Sequence, residues 1–192
     1  MFYLRVNDRI ELRLLQITDA EELFALTDAN RNYLRVWLPW LDGTNSVADT
    51  KNFIEYTLET SSNNRGVAAA ICDERSIVGL IGYNQIDTQN RIGYIGYWLA
   101  ADYQGKGIMT TSCQAISDYG FSALNLNRLV ITCATQNQSS RAIPKRLGFI
   151  HEGTIRDAEW LYDRFVNHEI YSLLYQDWKN KNVGCAVSTA SV

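Results

Sequence analysis

The stretch Trp98-Leu99-Ala100-Ala101-Asp102-Tyr103-Gln104-Gly105-Lys106-Gly107-Ile108-Met109-Thr110 constrains this chain more than any other. A strand pattern ends in it, two glycines follow one residue apart, and a helical pattern begins with Ile108, Ser112, Ala115, Ile116, Tyr119 and Ala123. A strand that passes through a turn into a helix, and from there into another strand (Leu129 to Cys133), predicts a parallel pair joined by a crossover. The first turn of a helix exposes N–H groups without partners at the positive end of its dipole, so this turn suits phosphate. Glycines at 105 and 107 permit positive φ and let a ligand approach the backbone. A P-loop is excluded because Lys106 is followed by Gly107. A dinucleotide fingerprint is excluded because Thr110 stands where its third glycine belongs.

The rest of the chain supplies a sheet for that unit. Ile10 to Leu15 alternates apolar and charged residues, the period of a half-buried strand. Thr18 or Asp19 then caps a helix with Leu23, Phe24 and Leu26 inward, and Asp49 to Thr60 reads as a second helix. Gly66 to Cys72, Ile77 to Tyr83 and Ile92 to Leu99 are separated by turn-rich segments and predict an antiparallel meander. Beyond Cys133, Ser139 to Leu147 is a short helix closed by Gly148, and Phe149 to Ile155 and Phe165 to Leu174 supply two more strands. The order β-α-α-β-β-β-α-β-α-β-β predicts an α+β (mixed α/β) fold, a central mixed sheet with helices on both faces. The 192 residues favour one domain over 10–178, with an N-terminal extension over 1–9 and a loose tail over 179–192.

Composition narrows the partners. Hydrophobic residues at 46% and charged residues at 20% are those of a folded globule rather than a disordered chain. A net charge of −3 and the lack of a Lys/Arg-rich run argue against nucleic acid as a ligand. No uncharged apolar stretch approaches the ~18–20 residues of a membrane helix. Met1 to Arg5 has no leader pattern, so a cytoplasmic protein is expected. Cys72, Cys113, Cys133 and Cys185 form no C-x-x-C pair, and with His151 and His168 they show no zinc spacing. Buried reduced thiols and no metal are therefore expected.

Three blocks in order, Ile95-Gly96-Tyr97-Trp98-Leu99 running into Tyr103 to Thr110, Asn137-Gln138-Ser139-Ser140-Arg141-Ala142, and Arg146-Leu147-Gly148-Phe149 with Glu152-Gly153, resemble the GNAT N-acetyltransferase superfamily. Within it they are most similar to the ribosomal-protein N-terminal (alanine/serine) acetyltransferases. The opening Ile10-Glu11-Leu12-Arg13 strand fits as well, and the match spans residues 10–178. The chain departs at Asp102, where many members carry Gln or Arg. The resemblance implies a GNAT-type fold and acetyl-CoA as co-substrate. Its pyrophosphate would be held by the turn around Gln104, Gly105, Lys106, Gly107, Ile108, Met109 and Thr110, and its pantetheine arm along Tyr97, Trp98 and Leu99. Asn137 would touch the arm from the other side, although Asn at that place also serves as a helix cap.

Acetyl transfer from a thioester to an amine needs a neutral amine, a donor for the oxyanion and a proton for the leaving thiolate. By resemblance the backbone near Leu99 is the oxyanion donor, Ser140 is the acid and Glu159 is the base. Ser140 serves equally well as a cap, and Asp157 and Glu152 rival Glu159. Trp160, next to Glu159, is expected to desolvate it. Trp37 and Trp40 mark a wall of the acceptor groove, or core. The acceptor is expected to be a protein or peptide N-terminal amine. The alternatives are a small amine (polyamine, amino acid or drug) or a non-catalytic acyl-CoA-binding module. The sequence leaves a homodimer open.

Overall fold

In the computed structural model, which describes residues 2–187, the elements in chain order are β1 (Tyr3–Arg5), β2 (Ile10–Leu14), α1 (Ala20–Ala29), α2 (Arg31–Arg35), α3 (Val47–Ser62), β3 (Val67–Asp73), β4 (Ser76–Asp87), β5 (Ile92–Leu99), α4 (Ile108–Ser122), β6 (Arg128–Ala134), α5 (Gln138–Leu147), β7 (Ile150–Leu161), β8 (Arg164–Leu174) and α6 (Tyr175–Val187). The strands form one eight-stranded sheet ordered β1-β2-β3-β4-β5-β6-β8-β7. Its neighbours pair antiparallel except β5 and β6, which are parallel and linked through α4. The mixed sheet, the β3–β4–β5 meander and the parallel pair are those the residue pattern predicts.

Both faces are covered. Along β3, Ala69 and Ile71 pack in the cluster that holds Cys113 and Ile116 of α4 and Ile143 of α5. The intervening Ala70 and Cys72 pack with Leu23 of α1 and Ile54 of α3. Successive strand residues point to opposite faces, so a continuous apolar run is what a sheet buried on both sides requires. Ile54 and Ile116 have no exposed surface, and each burial contributes on the order of 1.5–3 kcal/mol. Among the described residues no helix is long and apolar enough to cross a membrane.

Four features differ from the sequence reading. Residues 3–5, read as part of an extension, form an edge strand registered on β2, with Leu4 opposite Leu12. A short helix, α2, follows α1 directly. The segment from 179, read as tail, is helical as far as Val187, and residues 188–192 lie outside the described residues. That helix is anchored at its start: the Trp178 indole donates to Asp118 Oδ1 at 2.5 Å, and Lys181 Nζ donates to the Leu147 carbonyl at 3.1 Å. Finally, β7 continues past Ile155 to Leu161 through a bulge between Ile155 and Glu159. The polar Arg156-Asp157 pair has the composition of a loop, but Asp157 takes up the bulge at φ 47, and its N–H donates to Asn167 Oδ1 at 2.8 Å.

Candidate active site

The parallel ladder is incomplete. Pairing of β5 with β6 runs from Ile92 opposite Arg128 to Ile95 opposite Ile131, although β5 continues to Leu99 and β6 to Ala134. On the other side of β5, the Ala100 N–H donates to the Val78 carbonyl at 2.9 Å. Antiparallel pairs alternate between bonded and non-bonded, so Trp98 and Gly96 face β4, while the N–H groups of Tyr97 and Leu99 face the gap. A cavity of about 1060 Å³ occupies this gap and reaches both ends of the residue set read from sequence.

At one end lies the glycine turn. Gly105 and Gly107 have φ 72 and 78, and Gly107 is the left-handed N-cap of α4. A Cβ built at either glycine would meet nothing within 4 Å. Among the described residues no acceptor meets the N–H groups of Gly105 to Thr110, and the first satisfied donor is Thr111, which reaches the Gly107 carbonyl at 3.0 Å. A run of free donors before open space at a helix N-terminus fits a pyrophosphate. Gln104 is the exception: its N–H is spent on the Ala101 carbonyl, and its side chain donates to the Tyr33 hydroxyl. Lys106 stacks its ammonium over the Tyr103 ring at 5.0 Å. Arg146, whose motif carries no signal for this role, donates to Thr110 Oγ1 at 2.5 Å and brings a cation to the turn.

The middle of the cavity is walled by α5. Asn137 is the N-cap of α5, its Oδ1 accepting the Ser140 N–H at 3.1 Å. Ser140 therefore stands in the first turn and is not the cap, which corrects one of its two expected roles. It lines the cavity, as do Asn137 and Ser139. The Tyr97 hydroxyl crosses the gap to donate to the Ser140 carbonyl at 3.0 Å. Burial pushes the Tyr97 phenol well above its ordinary value, so it stays a donor. Cys133 also lines the cavity; burial pushes its thiol up to about 11, so it is protonated at neutral pH and a poor nucleophile. Cys72, Cys113 and Cys133 are free and buried, and Cys185 lies where side chains are not described.

At the far end the cavity is lined by Trp37, Trp40 and Trp98 together with Glu159 and His168. Trp40 and Trp98 pack with ring centroids 6.4 Å apart. Arg31 pins the tryptophan segment by donating to the carbonyls of Leu41 and Thr44, each at 2.6 Å. The β7–β8 turn reaches over to it, with the Tyr162 hydroxyl donating to the Leu38 carbonyl at 2.6 Å and the Arg35 guanidinium 3.8 Å over the Tyr162 ring. Of the rival carboxylates, Glu159 lines the cavity, whereas Glu152 is held by Arg128 and Ser172, and Asp157 sits exposed in the bulge. The expectation for Trp160 is corrected. Adjacent strand residues face opposite ways, and Trp160 packs edge-on against Phe165, half exposed, on the face away from Glu159. The residue beside Glu159 is His168, with Nε2 3.4 Å from Oε2. Sequence spacing carries no signal for that pair, because register and bulge create it.

A family model described as acetyltransferase (GNAT) domain matches residues 9–150. A putative ribosomal N-acetyltransferase of Bacillus subtilis (strain 168) is 37% identical over 185 residues, covering 94% of this chain and all of the relative. A crystal structure of a microcin self-immunity acetyltransferase in complex with acetyl-CoA and AMP superposes with a TM-score of 0.85 at 35% identity, covering 89% of this chain and 95% of that one. A ribosomal alpha-N-protein acetyltransferase solved with coenzyme A superposes with a TM-score of 0.89 at 27% identity, covering 92% and 99%.

Proposed function

The chain belongs to the acetyltransferase (GNAT) domain family and is an acetyl-CoA-dependent N-acetyltransferase, and we propose that its acceptor is the N-terminal amine of a protein or peptide of the ribosomal kind. The observation that supports this reading is one continuous cavity running from the free N–H groups of the glycine turn to Glu159 and the tryptophans. In it the turn from Gly105 to Thr110 holds the pyrophosphate, with Arg146 adding positive charge. The arm lies along Tyr97 to Leu99, against Asn137. The thioester carbonyl meets the Leu99 N–H, which stabilises the oxyanion. Glu159 serves the removal of the incoming amine's proton, and the Ser140 hydroxyl protonates the leaving thiolate. Trp37 and Trp40 wall the acceptor. We place the reaction in the cytoplasm, in keeping with the free buried thiols. The exposed Ile150 and Ile155 on edge strand β7 offer a homodimer surface.

A small amine is the second reading, and one observation favours it: the Tyr162–Leu38 hydrogen bond ties the β7–β8 turn to the tryptophan segment, which suits a closed pocket better than an open groove. Thiol release from acetyl-CoA separates the two. Peptides with a free N-terminus should be turned over, while the same peptides with a blocked N-terminus should not. Faster release with spermidine than with every free peptide would overturn the first reading in favour of the second.

A further inference from the structure

We infer that His168 is a catalytic residue, whose imidazole takes the proton of the attacking amine and is held and charge-balanced by Glu159. The inference rests on the acetyl-transfer reading and assigns the proton path within that site.

The placement comes from strand register. His168 stands on β8 opposite Ala134, the last residue of β6, beyond the last β5–β6 rung at Ile131. It is therefore level with the gap where the thioester arm lies. Val166, two residues earlier on β8, shares its face. An unbulged β7 continuing from Ile155 opposite His168 would set Asp157 opposite Val166. The bulge between Ile155 and Glu159 sets Glu159 there instead. The two inserted residues thus bring the Glu159 carboxylate beside the imidazole and send Asp157 to solvent. The side chains of His168 and Glu159 are 19% and 29% exposed, open enough to meet a substrate yet shielded enough for their charges to act on each other.

The geometry assigns the two ring nitrogens different tasks. Nε2 faces the carboxylate at 3.4 Å, a looser separation of the kind catalytic pairs show before substrate is bound. Among the described residues Nδ1 has no partner. A carboxylate on one nitrogen fixes the tautomer and leaves the lone pair of the other free for a proton, the logic by which carboxylates orient histidines in acyl transfer. An imidazole also suits proton transfer at neutral pH better than a carboxylate does. The step balances. The amine nitrogen forms its bond to the acetyl carbon and gives one proton to Nδ1. The C–S bond then breaks, with its electron pair going to sulfur. The Ser140 hydroxyl gives sulfur the proton that restores the thiol, and the proton on Nδ1 returns through solvent to the serine, leaving both side chains as they began.

The test uses the full-length protein with whichever peptide or amine the wild type acetylates fastest. His168→Gln keeps polar contact with Glu159 but accepts no proton, so it should lower kcat by roughly 10²-fold while leaving the KM for acetyl-CoA in place. His168→Ala should be as slow and regain several-fold turnover on addition of imidazole, which a structural role would not allow. Acetyl-CoA binding by calorimetry verifies that each variant is folded, and His168→Asn substitutes for either variant that is not. Turnover of His168→Gln within about twofold of wild type, or no rescue of folded His168→Ala, overturns the assignment. A wild type that prefers a polyamine overturns the acceptor reading alone, since the variant ratio is measured all the same.

Discussion

The Tyr97 hydroxyl donates to the Ser140 carbonyl at 3.0 Å, filling the place of the N–H that Pro144 lacks. In an unbroken helix that carbonyl would accept from residue 144, and proline removes the donor. One bond thus satisfies a helix defect and ties β5 to α5 across the gap between β5 and β6.

Tyr97→Phe should therefore destabilise the protein by about 1 kcal/mol, because it orphans a partly buried carbonyl. Adding Pro144→Ala should return much of that loss by supplying the missing N–H. Urea midpoints for the two single variants and the double variant measure the coupling. Additive effects would show that the two residues do not share the Ser140 carbonyl.

Asn137 and Ser140 should separate in their effects. Asn137→Ala loses the cap and should cost about 1 kcal/mol. Ser140→Ala should leave the melting temperature nearly unchanged and slow turnover, since its N–H is capped by Asn137 and the residue lines the cavity. A lower melting temperature with full activity for Ser140→Ala would remove the hydroxyl from the chemistry.

Much of this was legible in the sequence where backbone chemistry decides. Gly105 and Gly107 announce a turn through positive φ, which glycine takes without strain, and the meander follows from strand period and turn residues. What was not legible depends on register between distant strands. His168 meets Glu159 because a bulge shifts β7 by two residues, and Trp160 turns away from Glu159 because strand neighbours alternate. Arg146 reaches Thr110 from another helix. Residues 179–192 read as a loose tail, yet the helix α6 runs on to Val187, and Trp178 and Lys181 hold it against α4 and the end of α5.

The Gly107→Val variant tests the turn. Its φ of 78 strains any side chain, so some stability is lost, about 1–2 kcal/mol. The open space before it is where phosphate would lie, so acetyl-CoA affinity should fall further than stability alone explains. Calorimetry below the melting transition reads this, and wild-type affinity in a folded Gly107→Val would show that phosphate binds elsewhere.

Glu152 sets an acid limit on stability. Hydrogen bonds from Arg128 and then Ser172 lower its carboxyl from the ordinary 4.5 to about 2. A depressed carboxylate contributes fully above the unfolded value, and that contribution is lost as pH falls from about 4.5 towards about 2. Glu152→Gln should be less stable than wild type at pH 7, and the difference should shrink across that window. A constant difference down to pH 2 would contradict the assignment.

On the proposed function, the acetyl group of acetyl-CoA passes to an α-amine. This transfer is tested most directly with a peptide carrying both a free N-terminus and a lysine, incubated with the protein and acetyl-CoA and mapped by fragment mass spectrometry. A single acetyl should appear on the α-nitrogen, and it should be absent when Glu159→Gln replaces the wild type. Acetylation of the lysine side chain instead, or no transfer to the peptide at all, would contradict it.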